Sequence, residues 1–153
     1  MMLGMLPTAY IFDMDGTLVD TSAIVHHVLK PPGQKDFHAF HSEAASAPPK
    51  SEVVQMAHEA ALAGHEIIIV TAREATWRTP TAMWLALNRV PSHAMYMRPV
   101  KDYRKDYIIK KEILHRIRKS WNVVHAVDDN PAVIKLWEEE GIPTTKIPGY
   151  YEG

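Results

Sequence analysis

Two carboxylates lie two residues apart in the segment Asp13-Met14-Asp15-Gly16-Thr17, directly after a short apolar run. Side chains two residues apart in an extended segment project from the same side of the backbone, so Asp13 and Asp15 face the same space. Gly16 then permits a sharp turn. Aspartate and glycine are also common in an ordinary turn at the end of a strand. The pair gains functional meaning only if other polar residues converge on it.

Further polar side chains follow two later apolar runs. Thr71 and Arg73 come after one of them, and Asp128 and Asp129 come after another. Ligands of a parallel sheet bind beyond the carboxyl ends of its strands, so these residues are expected to meet the first two carboxylates. Lys110 lies early in the helical pattern that leads into the last of these runs. The alternative for Asp128 and Asp129 is a polar cap at the entry to a helix.

Four carboxylates, a hydroxyl and an ammonium at one sheet edge favour chemistry on phosphate with a divalent cation. Carboxylate oxygens without thiols suit a hard ion, and Mg²⁺ is the usual one beside phosphate. Carboxylates alone would repel a phosphate dianion, and a cation together with Lys110 would offset that repulsion. The sequence has no cysteine, which excludes disulfides, thiolate zinc sites and cysteine nucleophiles.

The elements that must position these residues alternate along the chain. Four apolar runs predict buried strands, and Thr144–Ile147 predicts a weaker fifth strand. The four runs are Ala9–Phe12, Ile67–Val70, Ala94–Met97 and Val123–Val127. Helical patterns separate them: Ser51–Ala63, a helix capped by Thr79 that runs to about Asn88, Asp106–Lys119, and a helix opened by Asn130 and ended by Gly141. This alternation predicts an α/β fold around a mainly parallel sheet.

The chain length of 153 residues fits a single domain, residues 1–153. The stretch Lys30–Lys50 differs from the rest because four prolines and a glycine flank a short polar and aromatic core. We predict a loop or minimal cap at about residues 20–50, with one helical turn near Phe37–Ala45. No apolar run approaches the roughly 20 residues that span a bilayer. We therefore expect no membrane partner and a cytoplasmic location.

The segment Phe12-Asp13-Met14-Asp15-Gly16-Thr17-Leu18 resembles the first motif of the haloacid dehalogenase (HAD) superfamily. Thr71, Lys110 and the pair Asp128–Asp129 match its second, third and fourth motifs in order and spacing. The resemblance implies a Rossmann-like three-layer sandwich. The short interval between the first two motifs leaves no room for a large cap domain, so we expect an open site.

Longer segments are similar to the phosphatase domain of phage-type polynucleotide kinase 3'-phosphatases, which removes 3'-phosphates from nucleic acid ends. They are Val70-Thr71-Ala72-Arg73-Glu74, Tyr96-Met97-Arg98-Pro99, the stretch 102–110, and Val127-Asp128-Asp129-Asn130. One departure is the region after Thr17, where His26 and His27 stand in place of the substrate-loop arginine of the phage enzyme.

This resemblance implies a role for each matched residue. Asp13 would attack phosphorus and form an aspartyl-phosphate. Asp15 would protonate the leaving oxygen and then activate water. Thr71 would donate to a phosphoryl oxygen, and Lys110 would balance the negative charge around Asp13.

The same resemblance implies a Mg²⁺ site and a set of substrate contacts. Asp128 and Asp129 would hold the ion together with Asp13 and the main-chain carbonyl of Asp15. Arg73 would contact the substrate phosphate. The other candidate substrate-binding residues are Thr17, Arg104, Asp106, Lys35 and His41.

Several of these residues keep a structural alternative. Asp106 would orient Lys110 or Arg73, or it is simply an acid favoured at the start of a helix. His38 and His41 lack a third partner for a metal site, so they would contact the substrate or lie solvated in the loop. The basic stretch 98–119 would face phosphates or form a solvated helix face.

The leading functional prediction is removal of 3'-phosphates from DNA or RNA ends by a Mg²⁺-dependent phosphohydrolase. The chain has no G-x-x-x-x-G-K-[ST] stretch, so a separate kinase or ligase partner would process 5' ends. One alternative is a small-molecule phosphatase such as a nucleotidase, with the Lys30–Lys50 loop as a lid. The other is a non-catalytic module that binds phosphate ends. Such a module would be expected to have lost Asp13 or Asp15.

Overall fold

The computed structural model of the protein describes residues 5–150. Its sheet contains five strands, and all neighbouring strands run parallel. The strands are β1 (Thr8–Phe12), β2 (Glu66–Glu74), β3 (Ala94–Arg98), β4 (Asn122–Asp128) and β5 (Thr144–Lys146). Their spatial order is β3-β2-β1-β4-β5, so β1 is central. All five predicted strands and the parallel sheet are confirmed.

The described residues contain five helices, of which all but the first cover the two faces of this sheet. They are α1 (Phe37–Ala44), α2 (Ser51–Leu62), α3 (Arg78–Leu87), α4 (Asp106–Ile117) and α5 (Pro131–Glu139). Short 3₁₀ turns lie at Val25–His27 and Ala75–Trp77. Because side chains alternate across a strand, Ala9 and Ile11 of β1 pack with α4 and α5, whereas Phe12 packs with α2 and α3. The three-layer α/β sandwich is therefore confirmed, and no large cap interrupts it in the described part of the chain.

The predicted start of α3 differs from the observed one, whereas that of α2 agrees with it. Helix α3 begins at Arg78 rather than after a Thr79 cap, because the 3₁₀ turn Ala75–Trp77 leads directly into it. Pro80 still lies in the first turn, where its missing N–H is not needed. Helix α2 begins at Ser51 itself, since the carbonyl of Lys50 accepts the first helical bonds from the amides of Val53 and Val54.

The stretch predicted as a loop with one helical turn is more ordered than expected. Helix α1 has eight residues, which is more than two turns. The Asp36 side chain caps it by accepting from the Ala39 amide at 2.9 Å. Phe40 and Ala44, four residues apart on one face, form with Ile24 an apolar cluster separate from the two that cover the sheet. This small unit lies within residues 20–50, for which the sequence predicts a loop or minimal cap, and its role as a cap stays a prediction.

No helix within residues 5–150 combines the length and the apolar character needed to cross a bilayer. The prediction of a single domain over residues 1–153 includes residues 1–4 and 151–153, which lie outside the described range. It therefore stays a prediction.

Candidate active site

Lys110 bridges two carboxylates at the carboxyl edge of the central strands. Its Nζ donates to Asp13 Oδ1 at 2.9 Å and to Asp128 Oδ2 at 2.7 Å. Asp13 directly follows β1 and Asp128 ends β4, and these strands pair in parallel. All three side chains are buried. Burial alone would lower the pKa of Lys110, but the two carboxylates raise it, so the side chain stays cationic.

Asp129 completes a cluster of three carboxylates. One oxygen each from Asp13, Asp128 and Asp129 lie within 4.8 Å of one another. Burial and the charge of Asp128 raise the pKa of Asp13, and the same two causes raise the pKa of Asp129 to about 6. One ammonium thus offsets only part of the negative charge of three carboxylates. An all-oxygen cluster with excess negative charge fits Mg²⁺ by its chemistry.

The close approach of backbone to this cluster also fits a bound ion. Gly16 has φ +80°, and a Cβ built on it would lie 2.0 Å from Asp129 Oδ2. Only glycine therefore lets the turn after β1 reach the carboxylates. Asp128 Oδ1 accepts from the amides of Asp129 and Asn130, at 2.9 and 3.0 Å. The side chain that caps α5 is that of Asn130, which accepts from the Ala132 amide, and not that of Asp128 or Asp129.

Thr17 is buried against the carboxylate cluster. Its hydroxyl is fully buried and donates to Asp13 Oδ2 at 3.1 Å, with Asp129 Oδ1 at 3.2 Å. The residue is thus placed to orient the two carboxylates. This differs from the substrate contact predicted for Thr17, because the buried hydroxyl already has carboxylate partners.

Asp15 is not a member of the three-carboxylate cluster and pairs with Arg73. Arg73 Nη2 donates to Asp15 Oδ1 at 2.6 Å, and Nε donates to Oδ2 at 2.9 Å. Burial would raise the pKa of Asp15, but the guanidinium holds it below its usual value. The predicted metal contact of Asp15 concerns its main-chain carbonyl and stays a prediction. The predicted contact of Arg73 with substrate phosphate also stays a prediction, since in this structure Arg73 contacts Asp15.

Thr71 and Arg73 occupy the end of β2, which is longer than predicted. The pairing register with β3 shifts between Thr71 and Glu74, so the strand is irregular there. Thr71 Oγ1 accepts from the Arg73 amide at 3.1 Å, and both residues are buried. Thr71 and Arg73 are two residues apart in an extended segment, so both face the same cavity as Asp13.

Asp106 pairs with Arg98, not with Lys110 or Arg73 as predicted. Arg98 Nη2 donates to Asp106 Oδ1 at 2.6 Å. Arg98 also donates to the carbonyls of Ala72 and Asp102, at 2.9 and 2.8 Å. It therefore ties the end of β2 to the loop before α4 and to the start of α4, which carries Lys110. The sequence predicted a role for Arg98 only as part of the basic stretch 98–119.

Arg104 forms a surface ion-pair network instead of facing a free phosphate. Its guanidinium contacts Asp102 and Glu112, each at 2.7 Å. It lines the same cavity as the buried carboxylates, so its predicted substrate contact stays a prediction. The basic stretch 98–119 is thus divided between buried Lys110, the Arg98 network and a solvated helix face.

A cavity of about 920 Å³ extends from Asp13 to α1. Lys35 and His41, both predicted to contact substrate, line it, as does Trp77. Burial lowers the pKa of His41 to about 4. Within residues 5–150, His41 Nδ1 is buried without a hydrogen-bond partner. Trp84 and Trp137 lie in the core as expected from their helical spacing, whereas Trp77 lies at the cavity.

The parallel three-layer sandwich and the buried carboxylates at its edge define a HAD-type phosphatase domain. Residues 7–149 match the family model of the polynucleotide kinase PNKP phosphatase domain, and the chain belongs to that family. The suspected resemblance is therefore confirmed.

Relatives of this chain are longer proteins. A putative bifunctional polynucleotide kinase/RNA ligase of Autographa californica nuclear polyhedrosis virus is 29% identical over 142 residues, covering 90% of this chain and 19% of the viral protein. A chain of the Pnkp1/Rnl/Hen1 complex is 30% identical with a TM-score of 0.79, covering 94% of this chain and 47% of that one. This chain thus spans less than half the length of either relative.

Similarity of fold extends further. The class C acid phosphatase from Bacillus anthracis has a TM-score of 0.68 at 14% identity, covering 97% of this chain and 70% of its own. At that identity the likeness concerns the fold alone.

Proposed function

We propose that this chain is a Mg²⁺-dependent phosphohydrolase that removes 3'-phosphates from DNA or RNA ends through an aspartyl-phosphate. The observation that carries the proposal is Asp13 at the end of the central strand, hydrogen-bonded to Lys110 and open to the large cavity. The family match and the names of the relatives, which include polynucleotide kinase and RNA ligase, support a polynucleotide substrate.

In the first step an oxygen of Asp13 attacks phosphorus, and the bond from phosphorus to the 3'-oxygen breaks. Asp15 gives its proton to that oxygen, which leaves as a hydroxyl. Arg73 keeps the pKa of Asp15 low in the free protein. A phosphate dianion near Asp15 would raise that pKa by like-charge repulsion and so favour the protonated acid.

In the second step Asp15 takes a proton from water, and the water oxygen attacks phosphorus. The bond between phosphorus and Asp13 breaks, which releases inorganic phosphate and restores the carboxylate. Thr71 would donate to a phosphoryl oxygen. Lys110 lies 2.9 Å from Asp13 Oδ1, where its charge stabilises the negative charge that gathers during transfer.

Asp13, Asp128 and Asp129 would hold Mg²⁺ through side-chain oxygens, with the main-chain carbonyl of Asp15 as a further ligand. When bound, the ion supplies positive charge that offsets repulsion between the carboxylates and the phosphate. Thr17 would orient the carboxylates of Asp13 and Asp129. The remaining candidates would contact the substrate from around the cavity: Lys35, His41, Arg73, Arg104 and Asp106.

The product of this reaction is a 3'-hydroxyl end, which ligation requires. We therefore propose that a kinase or ligase, in another domain or protein, acts on the same ends. The sequence has no cysteine, and this is the basis for proposing a reducing compartment such as the cytoplasm.

A substrate panel tests the proposal. With Mg²⁺ present, the protein should release phosphate from a 3'-phosphorylated oligonucleotide faster than from 5'-phosphate ends, 2',3'-cyclic ends or free nucleotides. Asp13→Asn should reduce kcat at least about 1,000-fold, because the nucleophile is lost. Asp36→Asn is a matched control, since asparagine still caps α1. Faster turnover of mononucleotides would favour the nucleotidase alternative. Full activity of Asp13→Asn would favour the non-catalytic binding module.

A further inference from the structure

The cavity is larger than a phosphate group needs. Its volume of about 920 Å³ lies near the upper end of the range for pockets that take whole small molecules. The buried carboxylates line it, and so do residues of α1 and of the 3₁₀ turn Ala75–Trp77. The space therefore suits a phosphate together with the nucleoside that carries it.

Aromatic rings form part of the cavity wall. The Trp77 indole lies 5.5 Å from the His38 imidazole and 5.4 Å from that of His41, measured between ring centroids. The two histidines are three residues apart on α1, so one helix face holds both rings against the indole. Trp77 remains only half-buried and lines the cavity.

Two more aromatic side chains line the cavity with much of their surface exposed. Phe37, at the start of α1, is 55% exposed, and Tyr103, in the loop after β3, is 85% exposed. They come from separate elements on the cavity rim. Large exposed aromatic groups around one cavity are typical of surfaces on which unpaired bases stack.

A polar group in the same wall lacks a partner. His41 Nδ1 is buried and has no hydrogen-bond partner within residues 5–150, although His41 lines the cavity. An unpaired buried nitrogen is costly unless a ligand satisfies it. The edge of a nucleobase offers both donors and acceptors and could do so.

We propose that Trp77, backed by His38 and His41, forms a subsite that stacks the base of the terminal nucleotide while its phosphate lies at Asp13. The inference rests on the proposed function. It adds recognition of the base, which is the group that distinguishes a nucleotide end from a simple phosphate ester. A base has a π-face whatever its identity, so this subsite selects for the presence of a base and not for its sequence.

Two substrates test the subsite directly in the wild-type protein. One is a 3'-phosphorylated oligonucleotide, and the other is the same strand with an abasic 3'-terminal nucleotide. We expect kcat/KM for phosphate release to be about 10-fold higher for the end that carries a base. This comparison requires no variant and so does not depend on how a substitution folds.

Variants assign the preference to the aromatic wall. In Trp77→Ala the ratio of the two kcat/KM values should fall to near one, and Trp77→Phe should restore much of it because a ring returns. His38→Ala, which truncates an exposed side chain, should lower the ratio and serves if Trp77→Ala does not fold. His58→Ala, an exposed histidine on α2 outside the cavity lining, is the matched control and should keep the ratio.

The outcomes separate this inference from the proposed function. Equal release from both ends in the wild type, or an unchanged ratio in Trp77→Ala and His38→Ala, would overturn the stacking subsite and leave the 3'-phosphatase proposal intact. Release from neither end would reject both.

Discussion

Arg73 and Asp15 form a two-point ion pair in which Nη2 and Nε of the arginine each donate to a different carboxylate oxygen, at 2.6 and 2.9 Å. The remaining Nη1 donates to Thr81 Oγ1 at 3.0 Å. Arg73 is only 3% exposed, so these partners replace water around its charge. The pair fixes the orientation of the Asp15 carboxylate.

Arg73→Lys keeps the charge but cannot form the planar two-point contact. We expect kcat to fall about 10-fold or more because Asp15 loses its fixed orientation. The free energy of unfolding should fall by about 2 kcal/mol, since the pair is buried. Phosphate release and urea unfolding measure the two effects.

Arg118→Lys is the matched control for this change. Arg118 pairs with Glu140 at 2.7 Å, but its side chain is 38% exposed. The substitution should cost less than about 1 kcal/mol and leave kcat unchanged. If Arg73→Lys behaved like Arg118→Lys, a positioning role for Arg73 would be excluded.

The three buried carboxylates predict that Mg²⁺ stabilises the folded protein. Mg²⁺ at about 100 times its Kd should add roughly 2.7 kcal/mol, because it binds the folded state only. Thermal unfolding with and without a chelator measures this without any substrate. Asp129→Asn should abolish most of the shift, and Asp102→Asn, in the cavity lining but outside the cluster, should retain it. An equal shift in all three proteins would contradict the predicted site.

Gly16 and Gly64 form a matched pair for testing the turn after β1. Both have positive φ, +80° and +97°, so alanine at either position costs about 1–2 kcal/mol in backbone strain. A Cβ at Gly16 would also lie 2.0 Å from Asp129 Oδ2, whereas a Cβ at Gly64 meets nothing within 4 Å. Gly16→Ala should therefore lose activity and the Mg²⁺-dependent thermal shift. Gly64→Ala should keep both, and comparable activity in the two variants would contradict the close approach.

His41 predicts a defined dependence of stability on pH. Burial, more than any charge, lowers its pKa from 6.5 to about 4; Asp15 and Glu74 act in the raising direction, and Arg73 and His38 in the lowering direction. The unfolded chain therefore binds more protons between these values. The contribution of neutral His41 to the free energy of unfolding is therefore fully present above about pH 6.5 and is lost as the pH falls toward 4.

His41→Phe should flatten this part of the stability curve. At pH 5 the wild type should have lost roughly 2 kcal/mol more than the variant, relative to pH 7. Urea unfolding at the two pH values gives the difference. Other groups titrate in both proteins, so the difference isolates His41, and identical slopes would exclude the buried neutral imidazole.

The carboxylate cluster was accessible from sequence because strong patterns place its members. Asp13 and Asp128 each follow an apolar run, and in a parallel sheet the ends of such runs meet at one edge. Lys110 lies one turn into an amphipathic helix whose apolar stripe fixes the buried face. The local pattern thus determined which side chains converge.

Two ion pairs could not be predicted from the sequence pattern in this way. They are Arg73 with Asp15 and Arg98 with Asp106. Each depends on irregular backbone: a register shift at the end of β2, and the loop that leads into α4. The contact of Trp77 with α1 depends likewise on how the segment after β1 folds back. Long side chains reach such partners only when the loops adopt a particular conformation. The periodicity of apolar residues does not predict the conformation of a loop.

The sheet edge and the small unit above it rest on different apolar clusters. Ile24, Phe40 and Ala44 stabilise α1 apart from the residues that pack the sheet. Substitutions in this unit can therefore reshape the far wall of the cavity without disturbing the strand ends that hold the carboxylates.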